Sequence, residues 1–229
     1  MIAFDLARHW KTAVAGFVVV ALSQAIAAAE VVNPVVDLAS ARTQFEAGRA
    51  GSPDANLRAQ QMFSQLLRTD SENPLFLAYY GTTYTIQARD TRLPWTRIKL
   101  ITEGTALLDR ALELLDHASL GVRASAQRTS AGAAALETRL VAIATFIALP
   151  EAIFHRRAAA RREYTTALAS PDFPNASADL RGHLEYEGAL IAREYGDVAT
   201  ERATLKRVLA LSPPSINLAE VRARLAELH

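Results

Sequence analysis

The chain has 229 residues and a formal net charge of +1, and half of its residues are apolar, enough for a sizeable core. A charge so close to zero provides no global field to draw the protein to nucleic acid or to an anionic membrane. With no cysteine, disulfides, thiolate catalysis and Cys-based zinc or iron–sulfur sites are excluded, as is the lipidated cysteine of a bacterial lipoprotein.

The first thirty residues read as an export signal. Arg8 and Lys11 form a basic start, Ala13 to Leu22 an unbroken apolar run, and Ala27-x-Ala29 a cleavage site before Glu30. The expectation is a signal peptide over 1–29 and a mature domain over 30–229 in a Gram-negative periplasm. The alternative is an uncleaved inner-membrane tether through residues 13–29, although that run is short for a span of about 20 apolar residues. Its basic residues would then be cytoplasmic, with the rest facing the periplasm.

Abundant Ala and Leu, sparse Gly and Pro, and few β-branched runs predict an all-α chain. Asn33-Pro34 opens a first helix to about Arg49. Ser52 as N-cap and Pro53 as first helical residue open a second, to about Thr69. Pro74 opens a third, ending near Arg89, and a fourth runs from Ile98 to His117. A long Ala-rich helix spans Leu120 to Leu149, and Pro150 kinks it or starts another that reaches Ala169. After the loop "SPDFPNAS", helices follow over 178–195, 197–211 and 218–228. Short connections make neighbours antiparallel.

Four helices share the spacing small-x3-large-x2-apolar: Ala59/Phe63/Leu66, Gly104/Leu108/Ala111, Ala160/Tyr164/Ala167 and a worn copy at Glu201/Leu205/Val208. Three of them are followed by a proline turn, at Pro74, Pro171 and Pro213. Such a recurrence indicates stacked helix pairs. The pattern resembles the second helix of the tetratricopeptide repeat (TPR), and "LAYYGTTY" is similar to its first helix through Leu77, Tyr80, Gly81 and Tyr84. The resemblance implies TPR-like antiparallel helix pairs stacked as a right-handed array, with Gly81 small because the partner helix crosses it. The openings of the motif are 45, 56 and 41 residues apart, longer than the ordinary repeat of about 34, so the repeats are extended and irregular.

No phosphate-binding, nucleotide-binding, zinc-protease or hydrolase signature occurs. Glu151/His155 and His183/Glu187 are each four apart on a helix. Together they define the alternative, a metal-binding helical protein or enzyme, against which stand two ordinary surface pairs. The basic stretch "FHRRAAARREY" at 154–164 spreads its charges around the helix. It reads as a solvated surface before a docking site for an acidic partner or lipid head groups. Trp95, in the predicted loop "TRLPWTR", reads as sealing the end of a helix pair, with an exposed partner anchor as the alternative.

The favoured reading is non-catalytic, without cofactor, metal or nucleic acid. It describes an exported protein–protein interaction scaffold that assists assembly or maturation of envelope proteins. The TPR resemblance implies a groove lined by first helices, which places Thr82, Thr85, His183, Tyr186 and Arg193 against a protein or peptide partner.

Overall fold

The computed structural model describes residues 36–119 and 128–228, and side chains there except at 118, 119 and 128–130. The expected signal or tether over 1–29 lies outside the described residues, as do Asn33 and Pro34. All regular structure described is helical: α1 Leu38–Arg49, α2 Pro53–Thr69, α3 Pro74–Asp90, α4 Pro94–Ser119, α5 Arg128–Ala148, α6 Glu151–Phe154, α7 Arg157–Ala169, α8 Ala178–Glu194, α9 Val198–Leu211 and α10 Leu218–Glu227. A 3-10 turn at Phe173–Asn175 leads into α8.

Local chemistry explains most boundaries. Asp37 caps α1 by accepting from the amides of Ala39 and Ser40. Ser52 caps α2 and Asn73 caps α3, each with proline as the first helical residue, whose missing N–H leaves no donor unsatisfied. Ser177, Asp197 and Asn217 cap α8, α9 and α10. Three boundaries differ from expectation. The first helix, expected from Asn33-Pro34, starts at Leu38, because Asp37 is extended and caps it. Pro94 opens α4 four residues earlier than Ile98, which draws Trp95 into its first turn. Pro150 starts the four-residue α6 and leaves no continuous helix to Ala169, because His155 turns left-handed at φ 52 before α7 begins.

α1 packs on α2, α3 on α4, α5 on α7 and α8 on α9, and α10 closes the end against α9. Within pairs the directions are antiparallel: Arg193 meets Glu201 and Glu185 meets Arg207, so sequence position rises on α8 as it falls on α9. Between pairs the first helices run parallel. Tyr79 and Thr82 of α3 meet Glu137 and Thr145 of α5 in the same order, and α1 meets α3, as α5 meets α8. All turns from a first helix to its partner therefore lie at one end of the molecule.

A methyl group placed on Gly81 would lie 2.6 Å from the Gly104 carbonyl oxygen and 2.9 Å from Leu107 Cβ. One on Gly104 would meet the Gly81 carbonyl at 2.5 Å. The backbones of α3 and α4 touch there, and the ring of Tyr84 packs edge-on to that of Tyr80 beside the crossing.

The main core joins Phe45, Phe63 and Tyr79, whose rings stack or meet edge-on, to Leu108, Leu140, Ile143, Phe146 and Leu184. A second cluster holds α8, α9 and α10 together through Ala189, Leu205, Val208 and Val221. Among the described residues α5 alone is long and apolar enough to cross a membrane, over Ala131–Ala148. Over half of that stretch is buried, and α3, α4, α7 and α8 surround it. A largely apolar helix enclosed by four others in this way is a core helix.

Candidate functional site: the shared face of the first helices

On α1, Ala41, Phe45 and Gly48 form the buried stripe. Arg42, Glu46 and Arg49 form a charged stripe one position further round, at i, i+4 and i+7. This second stripe faces the neighbouring first helices. Arg42 Nη2 lies 2.5 Å from Glu137 Oε2 on α5, and the Tyr79 hydroxyl of α3 donates to Glu137 Oε1 at 2.5 Å. One carboxylate thereby ties three parallel helices together. Burial, with Glu137 beside it, pushes the Tyr79 phenol far above its usual range.

One turn along α1, burial raises the Glu46 carboxyl to about 7, although Arg49 works against the shift. Arg49 Nε stands 3.5 Å from Glu46 Oε2, while Glu46 Oε1 and Arg42 Nε are buried without a hydrogen-bond partner. The charge of Arg49 also acts on α8, where burial raises the Glu187 carboxyl to about 7 and Arg49 opposes it.

His183, 2% exposed, lies one turn before Glu187. Its Nε2 is 2.6 Å from Ser215 Oγ, and Ser215 donates its hydroxyl proton to Asp179. The three residue types are those of a nucleophilic triad, but the connectivity is not. The serine proton is committed to the carboxylate, so the imidazole donates to the serine and cannot act as its base. The cluster instead pins the 212–217 loop against α8. Burial lowers His183 to about 4, with Asp179 opposing that shift and Arg49 adding to it.

The five groove residues are not brought together on an open surface. Thr82 is buried, donating to the Ala78 carbonyl and facing Thr145 at 3.0 Å across the α3–α5 seam. Thr85 is buried at the Gly104 crossing, and His183 beneath the 212–217 loop. The position of Tyr186 is half-buried against the α8–α10 core. Arg193 is the exposed member, with Nε 2.9 Å from Glu201. Thr82 is covered by the neighbouring α5 and His183 by the 212–217 loop, whereas Thr85 is buried inside its own hairpin against α4.

The four metal-alternative residues are also not gathered. Glu151 accepts the amide of Arg157, and His155 sits on the left-handed residue that ends α6. Among the described residues no three His, Asp or Glu side chains are grouped to hold a metal ion. The arginines at 156–162 are engaged structurally. Arg156 forms a fork with Asp109, Arg157 pairs with Glu194, Arg162 with Glu163, and Arg161 lies over the Tyr195 ring. Trp95 does not seal its helix pair. That end is closed by Ala88, Ile101 and Leu149, with Leu100 and Phe154 against them, and by Arg97, which donates to the Ala88 and Thr91 carbonyls.

Arg42, Glu46 and Glu137 went unread as site residues. Their signal was a charged i, i+4, i+7 stripe beside an apolar one, and an acid inside an otherwise apolar helix.

The raised carboxyls set a pH dependence. A carboxyl at about 7 folded and about 4.5 unfolded binds more protons when folded, so stability falls as pH rises across that interval and is level above it. His183, lowered to about 4, has the opposite slope between about 4 and 6.5. Two carboxyls against one imidazole leave a net fall from mildly acid to neutral pH. Glu187→Gln is expected to raise stability at pH 8 by on the order of 2 kcal/mol and to flatten the fall. Urea unfolding at pH 5 and pH 8 checks this; equal gains at both would overturn it.

Comparisons with protein-family models, with curated proteins and with solved structures find no match to this chain.

Proposed function

We propose that the protein is an exported, non-catalytic scaffold of TPR-like helix pairs, stacked as a right-handed array, that assists assembly or maturation of envelope proteins. The observation that carries this reading is the layering. First helices run parallel, second helices run antiparallel to them, and a glycine-to-glycine crossing joins α3 to α4. The four recurring segments all lie on second helices, where Ala59, Gly104, Ala160 and Glu201 are buried. Repeats of this kind present their faces to peptides and partner helices. Export rests on the 1–29 signal, with the tether through 13–29 as its alternative.

Of the proposed partner-contacting positions, Arg193 and the rim of Tyr186 are those within a partner's reach. A photo-cross-linking residue in place of Arg193 is expected to form adducts with an envelope protein in intact cells, and these should be lost on adding Tyr186→Ala. Unchanged adducts, or none while the same probe at Arg222 captures as well as any site, would overturn the assignment. N-terminal sequencing of the mature chain separates soluble from tethered: a start at Glu30 supports the first and an intact Met1 the second.

A further inference from the structure

Exposed large apolar side chains are distributed unevenly. Leu57, Leu93, Trp95, Ile98, Ile153, Tyr195 and Val198 are the ones found among the described residues. All seven lie at or within about two turns of the connection from a first helix to its partner: α1–α2, α3–α4, α5–α7 and α8–α9. Because the first helices are parallel, these connections share one end. The described connections at the opposite end carry Asp70, Glu72 and Asp172 and none of the seven.

The densest part is the α3–α4 turn, where Leu93 is 49%, Trp95 69% and Ile98 50% exposed. Two cations flank it in sequence. Arg92 is exposed and has no ion pair or hydrogen bond among the described residues, and the Lys99 side chain is 73% exposed, 3.8 Å from Glu103. Most acids at this end are engaged, Asp54 in the first turn of α2 being the exposed exception. Asp90 pairs with Arg89, Glu194 with Arg157, and Asp197 caps α9. The small net charge of the whole chain conceals this local excess.

From this end we infer that the protein docks on an anionic lipid surface, with Trp95, Leu93 and Ile98 entering the interface and Arg92 and Lys99 meeting head groups. Tryptophan with an apolar body and a polar edge is favoured at the membrane–water boundary, and juxtaposed cations add attraction to anionic lipid. Charge favours lipid. Leu93, Trp95 and Ile98 are about half or more exposed on one turn between Arg92 and Lys99, and none of the three lines the cleft formed by Arg161, Arg162 and Tyr195. The edge lies opposite the end at which α1 begins at Leu38.

Trp10→Phe in the full chain leaves Trp95 as the only tryptophan. With vesicles of phosphatidylglycerol and phosphatidylcholine in equal parts, Trp95 emission should move to the blue and be quenched by brominated acyl chains. Arg92→Glu with Lys99→Glu should weaken that quenching more than about tenfold in lipid concentration, and Leu93→Ser with Ile98→Ser should abolish it, with helix content unchanged. If the chain floats with the vesicles while Trp95 stays as open to iodide as in buffer, the N-terminal segment alone is binding and the proposal is overturned. Protection of Trp95 by soluble envelope extract but not by vesicles would assign the edge to a protein partner and also overturn it. Neither result bears on the scaffold reading, which is tested at Arg193.

Discussion

Gly81→Ala is expected to lower stability by about 2 kcal/mol, and Gly81→Val by about 3 or more. Alanine is better than glycine inside a helix by roughly 1 kcal/mol, so propensity alone predicts a gain. The crossing reverses the sign. The new methyl would stand 2.6 Å from a backbone carbonyl, which cannot rotate aside as a flexible side chain could. Relief requires α3 and α4 to separate, and that loosens Leu108 and Ala111, both completely buried. Gly104→Ala should cost a similar amount. The double variant should cost less than the sum, since the first methyl already parts the helices. Urea unfolding followed by helical circular dichroism checks all three; a Gly81→Ala protein as stable as the parent would show that the contact is not tight.

The second large effect is expected at Glu163. Its carboxylate is 3% exposed and pairs with Arg139, whose side chain is 10% exposed and also reaches Asp116 Oδ1 at 2.6 Å. The cluster joins α4, α5 and α7 around a partly dehydrated guanidinium. Glu163→Gln removes the buried one of the two carboxylates that compensate Arg139, keeps the volume and leaves the exposed Asp116, and about 3 kcal/mol should be lost. The exposed Arg162, which touches the same carboxylate, should matter little. Arg139→Met combined with Glu163→Leu should recover much of the loss, because an apolar pair of matched size leaves no buried charge. Failure of the double variant to recover would mean that the ion pair holds the three helices in register, and that its charge balance is not the main issue.

Glu201 shows the same economy of charge at the C-terminal layer. It stands where the other second helices carry Ala or Gly, and at 1% exposure it could have been a disruptive substitution. Burial opposes its ionisation, but Arg224 of α10 and Arg193 of α8 outweigh that and hold the carboxyl below its usual range. The worn copy of the motif thus replaces a close helix crossing with a paired carboxylate that anchors the closing helix.

Helix limits were legible because their determinants are local. Ser52 followed by Pro53 marks the start of α2 and occupies its cap as expected, and Pro74 marks the start of α3. The buried rows on second helices were legible for the same kind of reason, since spacing along a helix determines which residues share a face. Gly81 belongs here too: a glycine inside a good helix signals a close neighbour, and the neighbour is Gly104.

Which faces of the first helices remain open was decided only by tertiary structure. Periodicity orients a residue about its own helix axis but carries no information on how many layers surround that axis. Thr82 and Thr85 have the same local sequence signature whether α5 and α4 lie against them or solvent does. His183 was closed off by a loop more than thirty positions later, and Trp95 was left outside because Arg97 and Leu100 took over the sealing. Chemistry written in neighbouring residues came through in the sequence; burial, which depends on segments distant along the chain, emerged only once the helices had packed.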